Sequence, residues 1–192
     1  MAEEEFKLER RTEIPDYMND IERELLKHNT IVLHGELGEE NCNRICKQLL
    51  YLGYKGAKEI TVIMNSVGGE VYHALLIFNT LESLRRSGLK IIIEARGICA
   101  SMGTIILMGA SVRKATKYSR FLLHEVAGYS FGKASEVKEE SEELMKLNKM
   151  LDEIISSHSK ITLEKLKKMT KKREWWLSAE QAFRQGLVDE IV

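Results

Sequence analysis

Ser101 stands in the run Gly97-Ile98-Cys99-Ala100-Ser101-Met102-Gly103, between a glycine that interrupts an apolar strand pattern and a stretch of small and apolar residues with the character of a buried helix. A serine hydroxyl attacks a carbonyl only when a base takes its proton and fixed donors receive the negative oxygen that attack creates. The base on offer is His124, which closes the apolar pattern Phe121-Leu122-Leu123-His124. The donors on offer are the amide of Met102, at the start of the expected helix, and one in the turn Ser66-Val67-Gly68-Gly69, where missing side chains let a substrate approach the main chain. Each signal has a plain structural reading as well: a small residue at a crowded helix start, a histidine satisfied within the core, an ordinary strand-to-helix turn. Metal chemistry has no support, because Glu125 belongs to no His-Glu-x-x-His motif, position 128 being glycine, and His28, His34, His73 and His158 lack ligand spacing. No cofactor is expected.

The elements that must hold these residues follow from periodicity. Ile14, Tyr17, Met18, Ile21 and Leu25 keep helical spacing, 30–34 reads as a buried strand, and Cys42, Ile45, Cys46, Leu49 and Leu50 mark a second helix ending near Gly53. A strand over 59–64, the glycine turn, a helix with the stripe Val71, Ala74, Leu75, Phe78 and Leu81, and a strand over 90–95 form an alternation that predicts parallel pairing. Further strands are expected over 112–116 and 120–124. A helix over 134–157, with Val137, Leu144, Leu147, Leu151, Ile154 and Ile155 on its apolar side, would run about 36 Å. That is too long to wrap a small core, so part of it is expected to project and meet another subunit. Ser178-Ala179-Glu180-Gln181 has capping-box form before a short helix stopped by Gly186, with a last strand within 188–192. Residues 1–13 read as a mobile arm and 14–192 as one α/β domain.

The totals narrow the setting. A chain of 192 residues fits one core, and its 29 acidic and 29 basic side chains cancel, which removes long-range attraction to nucleic acid or an acidic membrane. The longest apolar run, 105–108, is far short of the roughly 20 residues that span a bilayer. The start Met1-Ala2-Glu3-Glu4-Glu5 is the opposite of a basic leader. Three cysteines, with Cys42 and Cys46 four apart on one helix, read as small buried apolar residues and fit a reducing cytoplasm.

In this order and spacing the residues resemble the proteolytic subunit of the caseinolytic (Clp) protease family, from about Leu25 to the end of the chain. Met64-Asn65-Ser66-Val67-Gly68-Gly69 is similar to that family's Asn-Ser-Pro-Gly-Gly turn, and Ala100-Ser101-Met102-Gly103 matches its nucleophile motif. The stretch 120–124 resembles the strand that delivers its histidine, and Gly186-Leu187-Val188-Asp189 matches its ending. The resemblance implies a crotonase-like spiral of strand-strand-helix units with a protruding strand-helix handle over 126–157. It implies Ser101–His124 peptidase chemistry on peptides or unfolded proteins and oxyanion donors on Gly69 and Met102. Substrate contacts are expected from Gly68, Val71, Ala127 and Gly128, with a glycine-containing strand over Ala127 to Tyr129 pairing with extended substrate through main-chain hydrogen bonds. It also implies a tetradecamer of two stacked seven-membered rings, joined through the long helix.

Two positions depart from the family. Glu174 falls where the family carries the triad aspartate; a glutamate can orient the imidazole if its extra methylene is accommodated, and otherwise Ser101 and His124 work as a dyad or a neighbouring acid substitutes. Its plain reading is a surface charge beside Lys171, Lys172 and Arg173. The family's AAA+ unfoldase docks in apolar and aromatic rim pockets, and the positions that would form them here are Thr61, Ile63, Glu94, Arg96, Lys114 and Thr116. That surface argues against an orthodox ATPase partner and leaves a divergent partner, a stand-alone oligopeptidase or a phage-type maturation role. Two rivals to the peptidase are an inactive ring-building scaffold, favoured by the same two departures, and a crotonase-type acyl-CoA enzyme, which the pairing of Ser101 with His124 argues against.

Overall fold

The computed structural model describes residues 16–128 and 131–192; the arm expected over 1–13, Ile14 and Tyr129 lie outside the described residues. Helix α1 (Asp16–Lys27) leads into β1 (Thr30–Leu37), α2 (Glu39–Tyr54), β2 (Glu59–Gly69), α3 (Val71–Arg86), β3 (Lys90–Ala100), α4 (Met102–Met108), β4 (Val112–Ala115) and β5 (Arg120–Leu123). After these come α5 (Ala134–His158), α6 (Leu163–Thr170), β6 (Trp175–Ser178), α7 (Ala179–Arg184) and β7 (Glu190–Ile191). The main sheet has the order β1-β2-β3-β4-β7 with every neighbouring pair parallel, the arrangement that strand-helix-strand alternation requires.

Alternation along β2 buries Ile60, Val62, Met64 and Ser66, and the helices answer with matched faces. Cys42, Ile45, Cys46, Leu49 and Leu52 of α2 and Ala74, Ile77, Phe78 and Leu81 of α3 are buried in one core, and α4 is buried on every side. The three cysteines are free and buried. Burial pushes the Cys42 thiol up to about 11, with Cys46 and Glu70 adding to the rise, so it stays protonated and packs as a small apolar group.

Two strands run on where periodicity predicts a break, and the extra length builds the site. β2 continues to Gly69 through the expected turn, and β3 continues across Gly97 to Ala100. Side-chain hydrogen bonds make this possible. Asn65 Oδ1 accepts the Ile98 N–H at 2.9 Å, and Ser66 Oγ donates to the Gly35 carbonyl at 2.6 Å while accepting the Gly68 N–H at 3.1 Å. These groups stand in for ladder bonds where the register shifts, between His34 and Glu36 on β1 and between Met64 and Ser66 on β2. Gly97 has φ 103, and a Cβ there would lie 2.6 Å from Asn65 Oδ1. Past this point β3 changes neighbours: 92–95 pair with β4, whereas 98–100 pair with β5, whose far edge takes β6 in antiparallel fashion.

Helix α5 has 25 residues, about 37 Å. Residues 134–143 are exposed on all sides, and burial begins with Leu147, Leu151, Asp152 and Ile155, so its first half projects as expected. The C-terminal strand is pinned by Asp189, which accepts from the Arg113 backbone N–H at 2.8 Å and from Arg113 Nε and Nη2 at 3.1 and 2.6 Å. Burial pushes this carboxyl up, but the bonds from Arg113 together outweigh it and hold it below its ordinary value. A carboxyl depressed in the folded state contributes stability that is complete above the unfolded pKa and is lost as pH falls through the folded one. Asp189→Asn is therefore expected to lower Tm at pH 7, with the gap to wild type shrinking as pH falls below about 4. The Asp189 side chain is 39% exposed, so solvent screens the pair and the effect is on the order of 1 kcal/mol, a few degrees in Tm; melts across pH check it.

Candidate active site

Parallel sheets place their sites at the carboxyl ends of the strands, and two such ends meet here. Ala100 of β3 lies opposite Leu122 of β5, so Ser101 and His124 leave neighbouring strands side by side. Ser101 has φ 53 and ψ −124, a conformation that costs a side-chain-bearing residue about 1–3 kcal/mol and persists only when its surroundings fix it. Three hydrogen bonds fix it: the Ser101 N–H donates to Leu122 O at 2.8 Å, and Ser101 O accepts from the Thr104 N–H at 2.9 Å and from Thr104 Oγ1 at 2.6 Å. A strained strand-to-helix turn of this kind presents a serine hydroxyl beside the first free amide of the following helix.

The end of β2 closes over this elbow. Gly68 has φ 93, and a Cβ built on it would fall 2.6 Å from Ser101 Cβ and 3.1 Å from Met102 N, so only glycine permits the approach. Its N–H is committed to Ser66 Oγ. Gly69 is opposite Leu37, and the Glu70 N–H donates to Leu37 O at 2.9 Å. In a parallel ladder that pattern turns the Gly69 N–H away from β1.

A cavity of about 250 Å³ opens at this point, and Ser101, His124, Gly69, Met102, Val71 and Ala127 all line it. Among the described residues, neither Ser101 Oγ nor the His124 ring has a hydrogen-bond or ion-pair partner. Three other residues named from the sequence stand elsewhere. Gly68 lies behind the elbow rather than in the lining, and Gly128 packs against Leu144 of α5, where a Cβ would come within 3.0 Å. Glu174 is exposed and its carboxylate accepts from Trp176 Nε1 at 2.8 Å. Residues 124–128 form no strand, so the substrate-pairing strand expected around 127–129 is absent from its described part. The segment is held to α5 by a side chain instead: the Val126 N–H donates to Asn148 Oδ1 at 2.9 Å.

Sequence reasoning missed the far wall of the cavity. Asn148 and Asp152 of α5 and Leu166 and Thr170 of α6 line it. The available signal was a pair of polar residues four apart that interrupts the stripe Leu144, Leu147, Leu151 and Ile155 on an otherwise amphipathic helix. Burial pushes the Asp152 carboxyl up, Lys167 pulls it back, and Glu125 and Glu153 push it further up.

The family model for Clp protease matches residues 13–192. The chain belongs to the Clp protease family. It is 32% identical over 175 residues to the ATP-dependent Clp protease proteolytic subunit 3 of Rhizobium etli, with 90% of this chain and 88% of that one aligned. It is 30% identical over 180 residues to proteolytic subunit 1 of Borreliella burgdorferi, with 90% and 89% aligned, and 31% identical over 180 residues to the proteolytic subunit of Borrelia garinii, with the same coverage. At this identity the chain is a divergent member of the family, and its α/β architecture is consistent with the Clp protease fold. Among the described residues no helix is long and apolar enough to cross a membrane, and no group of three or more His, Cys, Asp or Glu is placed to hold a metal ion.

Proposed function

We propose that this chain is a serine endopeptidase that hydrolyses peptides or unfolded proteins through an acyl-enzyme on Ser101, inside a chamber built from copies of itself. The observation that carries the reading is the Ser101 elbow, a serine held at φ 53 that opens with His124 onto one cavity. His124 takes the Oγ proton as Oγ adds to the scissile carbonyl, and the Gly69 and Met102 amides receive the oxyanion. The imidazolium then gives that proton to the leaving amine as the C–N bond breaks. In the second half His124 takes a proton from water, the water oxygen attacks the ester carbon, and the proton returns to Ser101 as the new carboxylic acid departs.

Glu174 turned toward Trp176 favours a Ser101–His124 dyad in this arrangement. Glu174→Ala is then expected to keep kcat/KM on an unstructured peptide within a few-fold of wild type, whereas loss of an orienting acid costs about 10⁴ in kcat. A fall of that size would instead place the Glu174 carboxylate on the imidazole in the working assembly. Cleavage of a denatured protein by wild type and not by Ser101→Ala tests the function as a whole.

The projecting half of α5, with Val137 and Met145 exposed, supports assembly with further copies through this helix, as stacked rings. The relatives are named as ATP-dependent, but the row that would receive an ATPase carries charge here. Glu94, Lys114 and Glu190 lie in register across β3, β4 and β7, with Glu94 paired to Arg96 at 2.6 Å and Lys114 to Glu190 at 2.9 Å. Side chains already paired with one another offer no apolar pocket, which supports peptide hydrolysis without an orthodox unfoldase. Three buried free thiols are in keeping with a cytoplasmic setting.

A further inference from the structure

The cavity beside Ser101 is sized for a single side chain, about 250 Å³, below the range of pockets that hold drug-sized ligands. Met102, Ile105, Leu151, Ile155 and Leu166 give it apolar walls, and a carboxylate, Asp152, is set among them. Asp152 is only 8% exposed. One of its oxygens, Oδ2, accepts from Asn148 Nδ2 at 3.2 Å, and Asn148 is itself anchored by the Val126 N–H, so the carboxylate is held in place. Among the described residues its other oxygen, Oδ1, has no donor, and no lysine or arginine lies within ion-pair distance of the group. A buried carboxylate with open acceptor sites is costly unless a cation meets it. Burial disfavours its charged form, with Lys167 partly offsetting at longer range and Glu125 and Glu153 reinforcing the effect, so an arriving cation would meet a carboxylate that no lysine or arginine among the described residues pairs with directly.

We propose that Asp152 makes this cavity a pocket for a lysine or arginine side chain on the acyl side of the bond cleaved. The methylene stem would run along the apolar walls while the ammonium or guanidinium meets Oδ1. The inference deepens the serine-peptidase reading and rests on it.

The test compares kcat/KM for two fluorogenic peptides that differ only in lysine or leucine before the scissile bond, in wild type, Asp152→Asn and Asp152→Glu. An uncharged fluorophosphonate reads the reactivity of Ser101 separately. Wild type is expected to prefer lysine. Asp152→Asn is expected to lower the lysine-to-leucine ratio by about 30-fold or more, the scale of losing one partner of a buried charge pair, and Asp152→Glu to restore part of it. A wild type that labels but cleaves after leucine as well as after lysine overturns the inference and leaves the serine reading standing. An equal fall in both peptides and in labelling for Asp152→Asn also overturns it, since the acid would then serve His124. Absence of labelling in wild type overturns the serine reading itself, and the inference with it.

Discussion

His124→Ala is expected to lower kcat/KM for peptide hydrolysis by about 10⁴-fold or more, because serine and histidine act as a unit and removing either costs nearly the whole of the nucleophilic route. Stability is expected to change little. His124 lies beyond the last paired residue of β5, is half-buried, and has no hydrogen-bond or ion-pair partner among the described residues, so its removal breaks no internal bond. The pair of measurements, steady-state kinetics and a thermal melt, separates a catalytic role from a packing one. Loss of activity with an unchanged melt is the predicted pattern. Retained activity would show that another base serves Ser101, and equal loss of both would return His124 to the core.

Gly68→Ala is expected to damage both properties at once. The new Cβ would fall 2.6 Å from Ser101 Cβ and 2.8 Å from Ala100 O, at a φ of 93 that an alanine rarely adopts. Overpacking and backbone strain each cost about 1–3 kcal/mol, which in a chain of this size is a Tm fall of several degrees. To escape the clash the end of β2 would move off α4 and take the Gly69 amide with it. With the Gly69 amide as one of the two proposed oxyanion donors, and the loss of one such donor costing about 10²–10³ in kcat, kcat is expected to fall by at least that much at temperatures where the variant is still folded. A stable, active Gly68→Ala would show that the end of β2 does not press on the elbow in the working enzyme.

How much of this was legible in the sequence depended on how local the signal was. Helices α2, α3 and α5 were readable because each buries one face of a regular stripe, such as Cys42, Ile45, Cys46 and Leu49. The elbow was readable because an apolar strand pattern and an all-buried helix meet at Ser101, although the strand runs across Gly97 to Ala100 rather than breaking there. The extension of β2 and β3 was not, since it depends on Asn65 and Ser66 replacing ladder bonds across three strands. Helix α6 also gave little signal: it is a short run of lysines with Leu166 and Thr170 as its buried residues. The strand character of Trp175 to Ser178 comes from pairing with β5, a non-local contact that alternation over four residues does not announce. The position of Glu174 follows from its side-chain bond to Trp176, which spacing from the later Ser178-Ala179 cannot reveal. Asp152 was hidden in plain view, one acid on a helix rich in them, and gains meaning only because α5 turns it toward Ser101's cavity.

Peptidase chemistry in this chain requires an activated serine at position 101, and intact-mass analysis after treatment with a fluorophosphonate reads it directly. The prediction is one adduct per chain on the assembled wild-type protein, mapped to the peptide containing Ser101 and lost in Ser101→Ala. An assembled, folded wild type that takes no adduct, or an adduct that persists in Ser101→Ala, would contradict it and favour a non-catalytic, ring-building role for the chain.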